Sequence, residues 1–145
     1  MDPLELLIES ERFSHDIKMV FIREYQKIMD KYELSSKQSV IVNFVHQKQQ
    51  PTMGEIAQMI DATPSAASQF VKKLEQLGYL KREVNVDNRR ETLVTLAEKG
   101  EQFFAEMEKV DTYIFKKYFL KLPADDIVEY HRILKELHSI VTSST

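Results

Sequence analysis

Chain-breaking residues are sparse in this sequence, and their placement constrains its fold more than any other feature. Only three glycines and four prolines interrupt the 145 residues. They are Pro3, Pro51, Gly54, Pro64, Gly78, Gly100 and Pro123. Because Gly and Pro are the residues that end or weaken helices, the long stretches between them favour helix formation. The sequence therefore predicts a mainly α protein (α+β), with any strands confined to a short central segment.

Apolar residues repeat at spacings of three and four near both ends of the chain, as they do on one face of an amphipathic helix. In the first 33 residues the repeat consists of Phe13, Ile17, Val20, Phe21, Tyr25 and Ile28. After residue 100 it consists of Phe103, Phe104, Met107, Val110, Ile114, Phe115, Tyr118 and Phe119, and beyond Pro123 of Ile127, Tyr130, Ile133, Leu134, Leu137, Ile140 and Val141. We expect one long N-terminal helix and two C-terminal helices.

Capping residues divide the middle of the chain into three shorter helices. A serine cap within residues 34–38 begins the first, and Thr52 with Glu55 three residues later forms the capping-box pattern that begins the second. Thr63 followed by Pro64 begins the third, because Pro at the first helical position lacks a donor that would have no partner there anyway. Asp61-Ala62 is predicted to form the tight turn before it.

The helix after Thr63 has an apolar face and an outer face of small, polar and basic residues. The outer residues are Ser65, Ala66, Ser68, Gln69, Lys72 and Lys73. Two β-favouring runs follow, residues 79–84 and 91–96, and the polar stretch between them ends in Arg89 and Arg90. The sequence thus predicts a helix-turn-helix followed by a β-hairpin with a basic tip.

This order of elements is typical of proteins that read double-stranded DNA. A helix fits the major groove, which is roughly 12 Å wide, and short side chains let its backbone approach the base edges. Gln69 can form paired hydrogen bonds with adenine, while the other polar residues of the face, Ser65, Ser68, Lys72 and Lys73, can contact phosphates or bases. Arg89 and Arg90 suit the negative potential of the adjacent minor groove. Taken alone, the outer face of this helix is equally typical of a solvated surface, and Arg89 and Arg90 are more typical of a solubilising hairpin tip.

Five short motifs in the expected order resemble the MarR (multiple antibiotic resistance regulator) family. They are Leu34-Ser35-Ser36-Lys37-Gln38, Glu55-Ile56-Ala57, the stretch from Leu74 to Arg82, Asp87-Asn88-Arg89-Arg90, and Leu96-Ala97-Glu98-Lys99-Gly100. The resemblance implies a winged helix-turn-helix and an obligate homodimer formed by the first and last helices. It also implies one reading helix and one wing per half-site, and often a small-molecule effector that lowers DNA affinity.

Two positions depart from the family pattern. Ala97 stands where the family usually has Thr, which removes the hydroxyl cap of the helix that follows. The wing pattern can be aligned so that either Arg89 or Arg90 is the family arginine, and the sequence leaves this open. Asp87 is expected to support the wing by orienting an arginine through a charge-assisted hydrogen bond.

We predict three segments within one compact domain: an N-terminal dimerisation helix (1–33), a winged helix-turn-helix module (34–100) and C-terminal dimerisation helices (101–145). The predicted function is sequence-specific transcription regulation, as a repressor acting on a pseudo-palindromic operator. The net charge is −3, although residues 63–100 alone carry +2. Because an acidic total also suits a protein-interaction module without sequence-specific DNA binding, that module is the alternative.

Other classes of function find no support in the sequence. There is no cysteine, no glycine-rich phosphate loop and no nucleophile motif, so we predict neither an enzyme nor a cofactor. His15, His46, His131 and His138 lack the spacing of a metal site, so no metal is predicted. The acidic start of the chain and the lack of an apolar run of about 18 residues predict a cytoplasmic protein that does not contact a membrane.

Overall fold

A computed structural model describes residues 1–144, and this part of the chain consists of six α-helices, a short 3-10 helix and one β-hairpin. The elements in chain order are α1 (Pro3–Tyr32), α2 (Ser36–Lys48), α3 (Met53–Met59), α4 (Pro64–Gln76), β1 (Leu80–Val84), β2 (Thr92–Leu96), α5 (Glu98–Lys117), the 3-10 helix (Phe119–Lys121) and α6 (Ala124–Ser143). The predicted mainly α fold class is confirmed. No helix in residues 1–144 is both long enough and apolar enough to cross a membrane.

The helices of the middle segment begin at the predicted caps. Ser35 Oγ accepts a hydrogen bond from the Gln38 N–H (3.1 Å), and Gln38 Oε1 accepts one from the Ser35 N–H (3.0 Å). Thr52 and Glu55 make the same reciprocal pair at the start of α3. Each box gives partners to backbone N–H groups that the helix itself leaves unpaired, which fixes where α2 and α3 start.

The hairpin is antiparallel, with Leu80 opposite Leu96 and Val84 opposite Thr92. A third segment extends this sheet, because Thr52 forms an isolated bridge with Leu93 and the Val94 N–H donates to the Pro51 carbonyl (2.9 Å). The sheet is therefore tied to the start of α3 as well as to its own turn. Both predicted strands are confirmed.

The core of the first compact unit, Met1–Met107, joins all of its elements. Its buried residues are Tyr32, Ile41, Val42, Val45, Ile56, Ala57, Ala67, Val71, Leu74, Tyr79, Leu80, Val94 and Phe103. Within it, the buried Tyr79 hydroxyl donates to the Tyr32 carbonyl (2.7 Å), and the Tyr32 ring meets Phe103 edge to face at 5.2 Å. Burial raises the pKa of Tyr79, so its phenol remains a hydrogen-bond donor at neutral pH.

The second compact unit begins at Glu108, within α5. Its aromatic residues cluster around Phe119, whose ring lies 5.4 Å from Phe115 and 5.9 Å from Tyr130. The unit boundary falls inside a continuous helix because Phe103, Phe104 and Met107 belong to the core of the first unit. The start of α5 thus packs in the same core as the helix-turn-helix and the hairpin.

The junction between the hairpin and α5 is held by backbone contacts. The Ala97 N–H donates to the Tyr79 carbonyl (2.8 Å) and the Lys99 N–H to the Gly78 carbonyl (3.1 Å). The second bond gives a partner to an N–H at the start of α5, where no hydroxyl is available from Ala97. Gly78 has φ +88°, a left-handed conformation that favours glycine. At Gly100, an added Cβ would lie 2.4 Å from the Tyr79 carbonyl oxygen.

Gly100→Ala is expected to lower the free energy of unfolding by about 1–3 kcal/mol, because the methyl group overlaps a backbone atom that cannot move away. Gly54→Ala is the matched control, since its nearest neighbour would be Thr52 Oγ1 at 3.8 Å. That substitution should leave stability unchanged or raise it slightly, because Ala favours helix over Gly. Urea denaturation of both variants measures this, and equal stabilities would contradict the role given to Gly100.

Candidate nucleic-acid interface

The turn between α3 and α4 is built from the residues predicted to form it. Asp61 takes a left-handed conformation (φ 51°), and the Ala62 N–H donates to the Ala57 carbonyl (2.9 Å). Thr63 Oγ1 then accepts from the Ala66 N–H (3.1 Å), with Pro64 as the first residue of α4. These contacts set the angle at which α4 leaves α3 and complete the helix-turn-helix.

The two faces of α4 differ as expected for a reading helix. Ala67, Val71 and Leu74 are buried in the core. The exposed side chains of the predicted site are Ser65, Gln69, Lys72 and Lys73. None of these four makes a side-chain hydrogen bond or ion pair with residues 1–144, so all are available to an external partner. Lys73 also lines a groove with Phe70 and residues of α1 and α2, which places it at the edge of the outer face.

Ser68 is held differently from the other predicted residues of α4. It is half-buried, and its hydroxyl oxygen accepts a hydrogen bond from Arg82 Nη1 (3.3 Å). Its backbone carbonyl accepts from Arg82 Nη2 (2.9 Å). The sequence analysis placed Ser68 on the free outer face, whereas the structure turns it towards β1. Ser68 follows the buried Ala67 and lies on the side of α4 that faces the hairpin. Arg82 of β1 can therefore reach it, and this contact covers part of its side chain.

Arg82 is a residue of this region to which the sequence analysis gave no role. Besides its two bonds to Ser68, its Nε lies 3.5 Å from Glu75 Oε1. The guanidinium group thus connects β1 with two positions of α4. The signal that could have pointed to Arg82 is the motif from Leu74 to Arg82, which ends in this residue and which the sequence analysis used only for the family resemblance.

Arg89 and Arg90 lie at the tip of the hairpin, as predicted. Both are exposed, and neither side chain has a hydrogen bond or ion pair within the described residues. The turn that presents them is closed by bonds from the Asn85 N–H to the Glu91 carbonyl (3.2 Å) and from the Glu91 N–H to the Asn88 carbonyl (3.0 Å). The geometry presents both arginines and leaves open which one is the family arginine.

Two asparagines, rather than Asp87, provide the side-chain support of the tip. Asn88 Oδ1 accepts from the Arg90 N–H (3.2 Å), and Asn85 Oδ1 accepts from the Asp87 N–H (3.1 Å). The Asp87 carboxylate makes no hydrogen bond or ion pair with either arginine in residues 1–144. Asn side chains that bond a backbone N–H two residues on are a common turn device, so the pair Asn85 and Asn88 was the available sequence signal.

The described residues, 1–144, contain no group of three or more His, Cys, Asp or Glu side chains that could hold a metal ion. Of the four histidines considered in the sequence analysis, His46 stacks on Phe104 with ring centroids 3.8 Å apart. This histidine is therefore part of the packing between α2 and α5.

The sequence of the helix-turn-helix and hairpin matches a family model described as the MarR family, over residues 34–92. The chain is 26% identical over 138 residues to the HTH-type transcriptional regulator TcaR of Staphylococcus aureus (strain Newman), covering 92% of this chain and 90% of that protein. It is 31% identical over 90 residues to the DNA-binding transcriptional repressor ScoC of Bacillus subtilis (strain 168), covering 61% of this chain and 44% of that protein. Both relatives are named as regulators rather than enzymes.

The fold is also found in solved structures. The crystal structure of Streptococcus pneumoniae FabT in complex with DNA superposes with a TM-score of 0.71 at 15% identity, covering 97% of this chain and 99% of that chain. At this identity the likeness establishes the fold alone. The wing and the helix-turn-helix described above therefore occur, in the same architecture, in a protein crystallised with DNA.

Proposed function

We propose that the chain is a member of the MarR family, whose model matches residues 34–92, and that it is a sequence-specific transcription regulator that binds double-stranded DNA as a homodimer. The observation that carries the proposal is a set of exposed side chains that make no side-chain hydrogen bond or ion pair within residues 1–144. They are Ser65, Gln69, Lys72 and Lys73 of α4 and, at the tip of the hairpin, Arg89 and Arg90. An interaction module without DNA binding is not favoured, because the relatives are named as transcription regulators. A regulator of this kind would act in the cytoplasm, where bacterial DNA lies.

In the proposed complex, the N-terminal half of α4 enters the major groove. Gln69 is the residue best suited to read a base, because its amide can donate to and accept from adenine at once. Ser65 is short enough to let the backbone approach the bases, and Lys72 and Lys73 supply phosphate contacts that set the register. Ser68 contributes through its position beside Gln69, since its hydroxyl already faces Arg82.

The hairpin is proposed to lie over the flanking minor groove. Arg89 and Arg90 carry guanidinium groups that the negative potential of a narrow minor groove attracts. Because neither group is engaged within residues 1–144, no existing ion pair must be broken on binding. A rigid tip closed by Asn85 and Asn88 lowers the conformational entropy that binding would otherwise cost.

The homodimer is proposed from apolar surface on α1 and on α6, each considered by itself. On α1 the exposed apolar residues include Leu4, Leu7, Ile8, Phe13, Ile17 and Val20, and on α6 they are Val128, Tyr130, Ile133, Leu134, Leu137, Ile140 and Val141. Contiguous apolar faces of this length are rare on monomers and typical of an interface. A second copy of the chain covers them, and a two-fold dimer requires a two-fold operator.

The finer parts of the proposal concern repression and release. A dimer bound across a promoter would repress by occluding it. We propose a small-molecule effector that binds the groove of about 770 Å³ lined by Met29, Leu34, Phe70 and Lys73 among others. Because two of these residues belong to α4, a ligand that prefers one orientation of α4 would shift the dimer towards a form with lower DNA affinity.

Arg89→Ala and Arg90→Ala test the wing singly and together. Removal of one guanidinium charge from the minor groove should reduce the slope of log affinity against log salt by about 1, for all sequences alike, because one fewer DNA charge is neutralised. The single variants decide which arginine makes the larger contribution. Lys27→Ala on α1 removes the same charge outside the proposed interface and should leave the slope unchanged. An unchanged slope in the double variant would exclude the wing from DNA contact.

Gln69→Ala tests base reading by α4. Discrimination against a wrong base at one position per half-site should fall by about 1–3 kcal/mol, because the variant cannot form the bidentate pair. The measurement is affinity for a panel of operators with single base-pair substitutions. Gln76→Ala, in the last turn of the same helix, is the matched control and should keep the preference profile. A profile retained by Gln69→Ala would show that another residue reads the base.

Leu137→Glu tests the dimer. A charge in the apolar face of α6 should shift the protein towards monomer in analytical ultracentrifugation and lower operator affinity by more than about tenfold, because two linked half-sites become one. Ser139→Glu adds the same charge to the opposite side of α6 and should remain a dimer. Circular dichroism checks that both variants are folded. A dimer of wild-type strength in Leu137→Glu would contradict this interface.

The function itself is tested by selecting fragments of the source genome with the purified protein and measuring affinity for the best fragment at several salt concentrations. Enrichment of a two-fold-symmetric site that binds at least about 10³-fold more tightly than random DNA is the expected result. No enrichment, with only weak and salt-sensitive binding, would contradict the proposed function and favour an interaction module.

A further inference from the structure

We propose that Arg82 is a positioning residue that fixes the reading helix α4 relative to the wing, so that both dock on DNA as one preorganised unit. The proposal rests on the proposed function and deepens it. It assigns no DNA contact to Arg82 itself. Instead, it makes Arg82 the link on which the spacing between the major-groove and minor-groove contacts depends.

The geometry of the guanidinium group carries the first step. Nη2 donates to the carbonyl of Ser68 (2.9 Å) and Nη1 to the hydroxyl of the same residue (3.3 Å). That carbonyl belongs to the peptide unit that also contains the N–H of Gln69. Arg82 therefore holds the backbone immediately before the residue proposed to read a base, and it does so with two donors in a fixed plane.

A second, weaker contact lies further along α4. Arg82 Nε lies 3.5 Å from Glu75 Oε1, seven residues and about two helical turns beyond Ser68, which is an ion pair without a hydrogen bond. The two hydrogen bonds to Ser68 therefore provide the main constraint, and the charge of Glu75 favours the same placement of the guanidinium group.

The core alone does not set this orientation. The buried residues of α4, among them Ala67 and Val71, make apolar contacts, and apolar contacts have no directional preference. Hydrogen bonds from a planar group do have one. The buried face sets which side of α4 turns towards the core, and Arg82 adds a directional constraint to the rotation on which the aim of Gln69 depends.

The same residue connects this orientation to the wing. Arg82 lies in β1, opposite Val94 of β2, on the same face of the strand as the buried Leu80. The strand runs on directly to the tip that carries Arg89 and Arg90. Because Arg82 links the two elements, a rotation of α4 would move the hairpin with it. The distance between α4 and the hairpin tip, the two elements proposed to contact DNA, therefore stays constant.

Two variants of Arg82 and one matched control test the proposal on the operator found by fragment selection. Arg82→Lys keeps the charge but loses the planar fork, and Arg82→Gln keeps much of the volume without the charge. Lys81→Gln is the control, because Lys81 lies on the opposite face of β1 and its ion pair is with Glu83 of the same strand (3.8 Å). Each variant is measured for dimerisation, thermal unfolding and operator affinity at several salt concentrations.

Operator affinity of both Arg82 variants should fall roughly tenfold, since ordering α4 and the wing then costs entropy on binding. The salt slope of Arg82→Gln should equal that of Lys81→Gln, because neither variant loses a phosphate contact. The decisive readout is an operator with one base pair inserted in each half-site between the α4 and wing contacts. This insertion should weaken wild type by roughly tenfold or more but Arg82→Gln by only about threefold, because the variant tolerates a second spacing.

A salt slope of Arg82→Gln that is smaller than that of Lys81→Gln by about 1 would make Arg82 a phosphate ligand and overturn the proposal. Affinities and insertion penalties equal to those of Lys81→Gln would also overturn it. The Arg82 variants could also bind the operator more weakly and yet lose as much affinity as wild type when the extra base pair is inserted. That result would show a role in folding only and would contradict the proposal as well. The proposed function is judged separately, by whether wild type selects an operator at all.

Discussion

The close approach of α5 to the Gly78–Tyr79 backbone is the contact on which the rest of the winged-helix unit depends. Gly100 lets the helix backbone lie against the Tyr79 carbonyl, where a Cβ would come within 2.4 Å. From the other side of this junction, the Tyr79 hydroxyl donates to the carbonyl of Tyr32 at the end of α1. One tyrosine therefore ties the hairpin both to α1 and to the start of α5, and this fixes the frame in which α4 and the wing are held.

The polar side chains of this unit fall into groups according to the partners that they bond to. Side chains that bond to their own fold, such as Ser35, Thr52, Thr63 and Asn88, stand at the ends of helices and at the hairpin tip, where backbone N–H groups need partners. Arg82 joins two elements. The outer face of α4 and the tip carry side chains without a partner in the described chain, which is why these surfaces are assigned to DNA.

Local sequence signals predicted the elements and the exposure of most residues of the candidate site. Caps at Ser35, Thr52 and Thr63 act within three residues, so they can be recognised without knowing the fold. The exposure of Gln69 and Lys72 followed from helical periodicity. The half-buried position of Ser68 did not follow from periodicity. A residue at the border of a helix face is exposed or buried according to the side chain that lies beside it. Here that neighbour is Arg82, fourteen residues away in the sequence.

The sequence by itself determined the helix boundaries, the hairpin, the exposed polar face of α4 and the basic tip, since each arises from interactions between residues close in the chain. Only the tertiary structure decided what depends on contacts between distant elements. It turned Ser68 towards Arg82, gave the support of the tip to Asn85 and Asn88, and placed the start of α5 in the core of the winged-helix unit. These outcomes depend on side-chain geometry across elements, which periodicity and spacing do not encode.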